Sequence, residues 1–238
     1  MKLNVLAFGA HPDDVELGAG GILATHAMRG LTTGIVDLSR GEMGTRGTPE
    51  LRDQEAKDAA AILGCSVRLN LEMPDGRIDY SHESQLEVVR VLRKYQPDMV
   101  LMNAPTDRHP DHGRASRLVE EACFLSGLHK IVIHDGDTAL EPWRPKTMYK
   151  YLQFYNLEPQ VVVDISEGFE KKMASIKAHK SQFFDPNSTE PETVIASEGF
   201  FKSVIARAQD WGRVIGASYA EPLISVRHVG VKNLEDLQ

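Results

Sequence analysis

Leu3-Asn4-Val5-Leu6-Ala7-Phe8-Gly9-Ala10-His11-Pro12-Asp13-Asp14 is the stretch on which the reading of the fold turns. The apolar run Leu3–Ala10 has the length of a buried strand and not of a helix. Pro12 holds the residue before it to extended conformations, so the strand runs up to His11 and stops there. Two aspartates follow, then Gly18-Ala19-Gly20-Gly21 and an apolar stretch from Ile22 to Met28 that reads as a helix. About a hundred residues later the same grammar recurs. Met99 to Ala104 reads as a strand, a short loop carries Asp107-Arg108-His109-Pro110-Asp111-His112, and a helix is expected from about Gly113 to Leu125. Each polar cluster therefore sits at the carboxyl end of a strand and the mouth of a helix.

Between these clusters, strands and helices alternate. Strands are expected at Thr33–Leu38 and Ser66–Leu71, and helices at Glu50–Leu63 and His82–Lys94, with Pro49 at or just before a first turn that tolerates its missing N–H. This order predicts an α/β fold, a Rossmann-like doubly wound and mostly parallel sheet with helices on both faces. In the commonest strand order of such sheets, strand 1 lies beside strand 4, and ligands bind in the crevice outside their carboxyl ends. The two polar clusters follow those two strands, so topology alone predicts that they meet. The last hundred residues are less regular. Strands are expected at Met148–Phe154 and Gln160–Ile165, as an edge pair, and helices at Glu167–His179 and Glu192–Ala208. No repeat or linker divides the 238 residues, so one domain is expected, with a core over 1–130 and a part over 131–238 that completes the pocket, an oligomer interface, or both.

Composition removes several classes. With 42% hydrophobic residues the chain can bury a full core. A formal charge of −7 argues against a nucleic-acid surface, which needs clustered Lys and Arg. No apolar stretch approaches the roughly 20 residues of a membrane span, and the N-terminus does not read as a signal peptide. Cys65 and Cys123 have no metal spacing, which suits reduced thiols and a cytoplasmic location.

Ala10–Asp14 and Arg108–His112 contribute three histidines and three carboxylates, enough for three metal ligands with an acid and a base to spare. Catalytic zinc takes such a set of His and carboxylate and leaves a position for water, while two His and one carboxylate also suit ferrous iron. Adjacent aspartates point in different directions, so one of Asp13 and Asp14 is free to ligate while the other faces the water. The bland alternative for the pair is helix N-capping. The glycines at 18–21 lack the full spacing of a dinucleotide loop, and close helix–sheet packing explains them better. Ser39 to Thr48, glycine-rich and charged, is either a mobile loop or a lid contacting substrate.

These residues resemble a known family. Phe8-Gly9-Ala10-His11-Pro12-Asp13-Asp14-Val15-Glu16, Gly44-Thr45-Arg46-Gly47-Thr48, Glu50-Leu51-Arg52, Met73-Pro74-Asp75-Gly76 and Asn103 to His112 are similar to the LmbE-like (PIG-L) zinc-dependent N-acetylglucosamine deacetylases, above all the bacillithiol-biosynthesis branch that acts on N-acetylglucosaminyl malate. The resemblance implies that His11, Asp14 and His112 bind zinc, that Asp13 is the general base, and that His109 is general acid or oxyanion stabiliser oriented by Asp111. It implies sugar-hydroxyl contacts from Arg52 and Asp75, a small amino-sugar substrate and a homo-oligomer, trimeric or hexameric. Many members carry Glu directly after the two aspartates, whereas here Val15 intervenes and the acid is Glu16, which is left without a role. A malate aglycone needs local cations, and Arg40, Arg46, Arg108 and Lys180 are candidates by placement, with Arg108 nearest the site because it abuts His109.

Overall fold

A computed structural model describes residues 1–236. Strands β1 (Val5–Gly9), β2 (Thr33–Asp37), β3 (Val67–Asn70) and β4 (Met99–Asn103) alternate with helices α1 (Asp14–Met28), α2 (Pro49–Leu63), α3 (His82–Tyr95) and α4 (Pro110–Leu125). A small ribbon, β5 (His134–Asp135) with β6 (Thr138–Ala139), precedes β7 (Thr147–Tyr151), β8 (Val161–Asp164), α5 (Phe169–Ala178), α6 (Glu198–Ile215) and β9 (Ala220–Ser225). The main sheet has seven strands in the order β3-β2-β1-β4-β7-β9-β8. β1 pairs in parallel with β2 on one side and with β4 on the other, Val5 opposite Met99, so the crevice falls where the topology placed it.

The sheet separates two apolar layers. One face carries Leu6, Phe8 and Val100 against α3 and α4; the other carries Val5, Ala7 and Leu101 against α1 and α5. Parallel strands covered on both faces are apolar throughout, and β1 and β2 are buried at every position.

Helix α1 begins at Asp14, eight residues before the expected start, and runs straight through the glycines. The reason is packing. A Cβ at Gly18 would lie 2.1 Å from the Tyr151 ring, and one at Gly21 would lie 2.4 Å from Ile165. Tyr151 fills the space that Gly18 leaves and donates its hydroxyl to the Phe8 carbonyl at 2.9 Å.

The C-terminal third departs from expectation. β7 and β8 do not form an edge pair, because β9 lies between them and runs antiparallel to both. Its Glu221 points into the core, where it accepts the Gly21 and Ile22 amides at 3.0 and 2.8 Å and pairs with buried Lys172 from α5. Helix α6 begins six residues later than expected, where the Ser197 hydroxyl accepts the Phe200 amide, and ends at Gly216 in the left-handed region.

Candidate active site

Both polar clusters are anchored to the paired strand ends. Asn103, last residue of β4, accepts the Ala10 amide on Oδ1 at 3.0 Å and donates Nδ2 to Asp14 Oδ2 at 3.1 Å. Asp14 Oδ2 also accepts the His11 amide at 3.0 Å, and Oδ1 accepts Gln153 Nε2 at 2.8 Å. Asp14 is thus held by three donors from three segments. Asp13, just before Asp14 at the start of α1, takes φ 115°, a conformation that costs a non-glycine residue energy and is kept only when its surroundings fix it. Its side chain makes no helix-capping hydrogen bond, so the capping alternative does not account for it.

His11 and His112 each turn one ring nitrogen to Asp14 and the other to a separate carboxylate. His112 places Nε2 3.2 Å from Asp14 Oδ1 and Nδ1 3.0 Å from Asp107. His11 places Nδ1 3.6 Å from Asp14 Oδ2 and Nε2 2.9 Å from Asp75. Ligand atoms of a four-coordinate ion with bonds of about 2.0–2.1 Å stand about 3.4 Å apart, close to each of these two pairings, which engage different oxygens of Asp14. Carboxylates on the far ring nitrogens are also the usual support of metal-binding histidines. Two groups of possible ligands have all their donor atoms within 4.8 Å of one another: the three imidazoles of His11, His109 and His112, and, on the other side of His11, His11 with Asp75 and Asp111. In that second group the Asp75 and Asp111 oxygens are engaged by the Met43 and Gly76 amides and by Arg114. The His11–Asp14–His112 set implied by the family resemblance lies on the cavity with Asp13 and His109.

Electrostatics follow from this crowding. Burial opposes ionisation of Asp14, but His112 and His11 overcome it and hold its carboxyl well below the usual range. Burial likewise opposes the charged form of His112, yet Asp14 and Asp107 raise it to about 9. The neighbourhood attracts cations, and a metal would displace the protons that these rings otherwise hold. Asp13 differs: burial pushes it up to about 6, opposed by Arg52, whose Nη2 lies 3.5 Å from Oδ2. Burial lowers His109, and the neighbouring His11 and His112 lower it further. Its Nδ1 accepts the Asp111 amide at 3.3 Å, so the neutral ring carries its proton on Nε2. The expected orienting contact from the Asp111 carboxylate is absent: that carboxylate faces Gly76, Arg114 and His11, and the main chain holds His109 instead.

A cavity of about 170 Å³ opens over these groups. Arg52, Asp75 and Arg108 all line it, but in different ways. Arg52 is buried and donates to the Gly41 and Pro12 carbonyls at 2.7 and 2.9 Å, beside Asp13. Asp75 is engaged by His11 and the Met43 amide. Arg108 is exposed at the rim, 5.3 Å from the Phe154 ring centroid, with no carboxylate partner among the described residues. The other three cations do not line the cavity: Arg40 pairs with Asp53 and Glu50, Arg46 is buried against Ser181 and Ser188, and Lys180 is exposed elsewhere. Met43 and Gly44 bring the 39–48 loop to the cavity wall. Glu16 finds its place in a buried network, with Arg68 and, at 3.1 Å, His179, while Arg68 grips Asp37 through two 2.9 Å bonds.

Asn103 and Gln153 are the site residues that sequence reasoning missed. Asn103 had one signal, a polar residue closing an apolar strand that faces the first cluster; Gln153 had none.

An α/β sheet that gathers three imidazoles and several buried carboxylates at two paired strand ends suits a hydrolytic enzyme able to hold a metal ion. The family model for PIG-L, GlcNAc-PI de-N-acetylase, matches residues 6–123. Diacetylchitobiose deacetylase of Thermococcus kodakarensis is 32% identical over 229 residues, covering 92% of this chain and 81% of that protein. The crystal structure of a conserved protein from Thermus thermophilus superposes with a TM-score of 0.85 at 37% identity, covering 97% of this chain and 98% of its own. A probable N-acetyl-alpha-D-glucosaminyl L-malate deacetylase of Bacillus cereus is 26% identical over 196 residues, covering 76% of this chain and 84% of that protein. The chain belongs to the PIG-L family and is an enzyme, a de-N-acetylating amide hydrolase.

Proposed function

We propose that the protein hydrolyses the N-acetyl group of N-acetylglucosaminyl malate to glucosaminyl malate and acetate, a step of bacillithiol biosynthesis. The observation that carries the hydrolytic part is the convergence of His11, Asp14 and His112, with Asp13 and His109 beside them. His11, Asp14 and His112 would hold a divalent metal, zinc or ferrous iron, which when bound acidifies a water and polarises the acetyl carbonyl. Asp13, with a carboxyl near 6 and Arg52 fixing one side of it, takes the proton of the attacking water. His109 donates its Nε2 proton as a hydrogen bond to the carbonyl oxygen while negative charge develops there. Asp13 returns its proton to the nitrogen as the C–N bond breaks. Asp75 and Asp107 keep the rings of His11 and His112 in orientation, and the Asp111 amide keeps that of His109.

The malate part is supported by Arg108. An unpaired guanidinium at the rim of an acidic protein suits a carboxylate, which it can meet with two parallel hydrogen bonds. The second reading is the same hydrolysis on another N-acetylglucosamine derivative, favoured by the higher identity to the diacetylchitobiose enzyme. Release of free amine from N-acetylglucosaminyl malate, N-acetylglucosamine and diacetylchitobiose, with metal-loaded and chelated protein, decides between them. Turnover that depends on metal and prefers the malate conjugate supports the first reading. Equal or better turnover of the disaccharide replaces it with the second, and turnover insensitive to chelation removes the metal-dependent mechanism.

A further inference from the structure

A second cavity, about 540 Å³, is lined by α6, the segment after β7 and Leu17 of α1. The two share Leu17, Gln153, Phe154 and Phe200, three of them apolar. Leu17, Phe154, Ile195 and Phe200 bring apolar side chains to the first cavity, as Met43 does from the 39–48 loop, and three of them also line the second. The acyl methyl of an amide substrate gains by lying against such side chains, while its hydroxylated sugar gains by meeting the polar groups.

The second cavity continues the same chemistry. Leu17 is buried, and Phe154, Phe200, Val204 and Trp211 are half-buried and form its floor. Its polar residues Asn156, Ser203 and Asp210 are exposed and form a rim. Neither charge that lines it is free for a ligand. Arg207 donates to the main-chain carbonyls of Gln153, Phe154 and Tyr155, each at 3.0 Å, and Asp210 pairs with Arg213 at 2.9 Å. The second cavity also has the volume usual for a ligand site, which the first does not reach alone.

We infer that this cavity is an acyl-chain subsite, and that the enzyme also hydrolyses amino sugars whose N-acyl group is longer than acetyl, from about four to about eight carbons. The inference rests on the hydrolytic reading of the neighbouring site. The reaction balances as for acetyl: the water oxygen bonds to the acyl carbon, the C–N bond breaks, and both water protons end on the amine as a carboxylate leaves. The tail gains by burial, so kcat/KM should rise by about threefold per added methylene up to the length that the cavity holds.

The test is a chain-length series, N-acetyl- to N-octanoyl-glucosamine, with diacetylchitobiose alongside, on the metal-loaded wild type and on Val204→Trp and Ser203→Phe. Neither substituted residue lines the first cavity. Wild type is expected to favour N-hexanoyl over N-acetyl by about tenfold or more, and both variants to lose that preference while keeping N-acetyl turnover within about twofold. N-acetyl turnover also reports that each variant is folded, and Ser203, being exposed, serves if Val204→Trp is not. A wild-type profile that falls steeply beyond acetyl overturns the inference. So does an unchanged preference in a folded variant, or variants that lose only the disaccharide, which would make the cavity a second-sugar site. Hydrolysis of longer amides without acetyl turnover would keep the subsite and remove the proposed N-acetyl substrate; no hydrolysis of any amide removes both.

Discussion

Asp13→Asn separates the base from the ligands. Asparagine suits this position because it tolerates positive φ better than alanine, so the 115° backbone of Asp13 is not strained further. The side chain keeps its volume beside Arg52 but loses its charge there and, with it, the ability to take a proton. Loss of a general base costs about 10² to 10⁴ in kcat, equivalent to about 2.7–5.4 kcal/mol of barrier. The full effect is expected here because Asp13 is buried with a carboxyl near 6, and no other unengaged carboxylate lines the cavity on the Arg52 side. At about pH 8 the wild-type group is ionised and competent. Metal content should not follow activity, since His11, Asp14 and His112 remain. Asp14→Asn, by contrast, removes the carboxylate that faces both histidines and should lose metal and activity together. The assay is amine release at saturating substrate, with bound zinc measured in the same samples after gel filtration. If Asp13→Asn is stripped of metal as fully as Asp14→Asn, the division between the two aspartates is wrong. If it keeps metal and more than a tenth of wild-type turnover, Asp13 is not the base.

His109→Gln should retain stoichiometric zinc and lower kcat by about 10² to 10⁴; metal loss in that variant would move His109 into the ligand set. Gln153→Leu deletes the 2.8 Å bond to Asp14 and should weaken zinc binding by about tenfold to a hundredfold in chelator competition, and an unchanged affinity would show that Asn103 and the His11 amide suffice. Gly18→Ala forces a Cβ to within 2.1 Å of the Tyr151 ring and should cost about 1–3 kcal/mol in denaturant unfolding; a stability equal to wild type would mean that α1 shifts without penalty. Chelation should abolish turnover, and readdition of zinc or ferrous iron should restore it, the more active ion marking the preferred metal; persistence of activity through chelation would contradict the His–Asp–His assignment.

The N-terminal half was legible because β1, β2 and β4 are mainly apolar runs and β3 alternates apolar with polar, and because its chemistry is compressed into two loops at adjoining strand ends. Local pattern sufficed for β1 through β4, and the rule that ligands bind beside the first and fourth strands brought residues a hundred positions apart together. Close packing is expected of the glycines at 18–21 and is what Gly18 and Gly21 show, but the partners that make it, Tyr151 and Ile165, lie far along the chain, so the helical pattern reads only from Ile22. β9 was hidden for a related reason. Ala220-Glu221-Pro222-Leu223 carries a proline and an acid inside a strand, and the acid is tolerable in the core only because Lys172 and two helix amides meet it there. The bounds of α6 did have local signals, Ser197 as cap and Gly216 as stop, which the apolar pattern alone did not reveal. Gln153 has no such signal: a glutamine just past a strand acquires meaning only when β7 is placed beside β4.

The placement of this site on two helix N-termini sets a requirement that explains its acidity. α1 starts at Asp14 and α4 at Pro110, so the positive ends of both helix dipoles meet where the proposed metal would sit. By itself that field would repel a divalent ion while helping an anion. Asp14, Asp75, Asp107 and Asp111 reverse it locally, each within hydrogen-bonding or ion-pairing reach of His11 or His112. The two effects then divide the reaction between them. Carboxylates arranged around His11 and His112 favour the ion, while the helix ends remain to stabilise negative charge as it appears on the acyl oxygen and on the departing carboxylate. His109 stands at the α4 terminus, where burial and its two neighbouring imidazoles keep it neutral and its Nε2 proton available for donation. A site built from the same residues on strand interiors would hold the metal equally well and lack that second contribution.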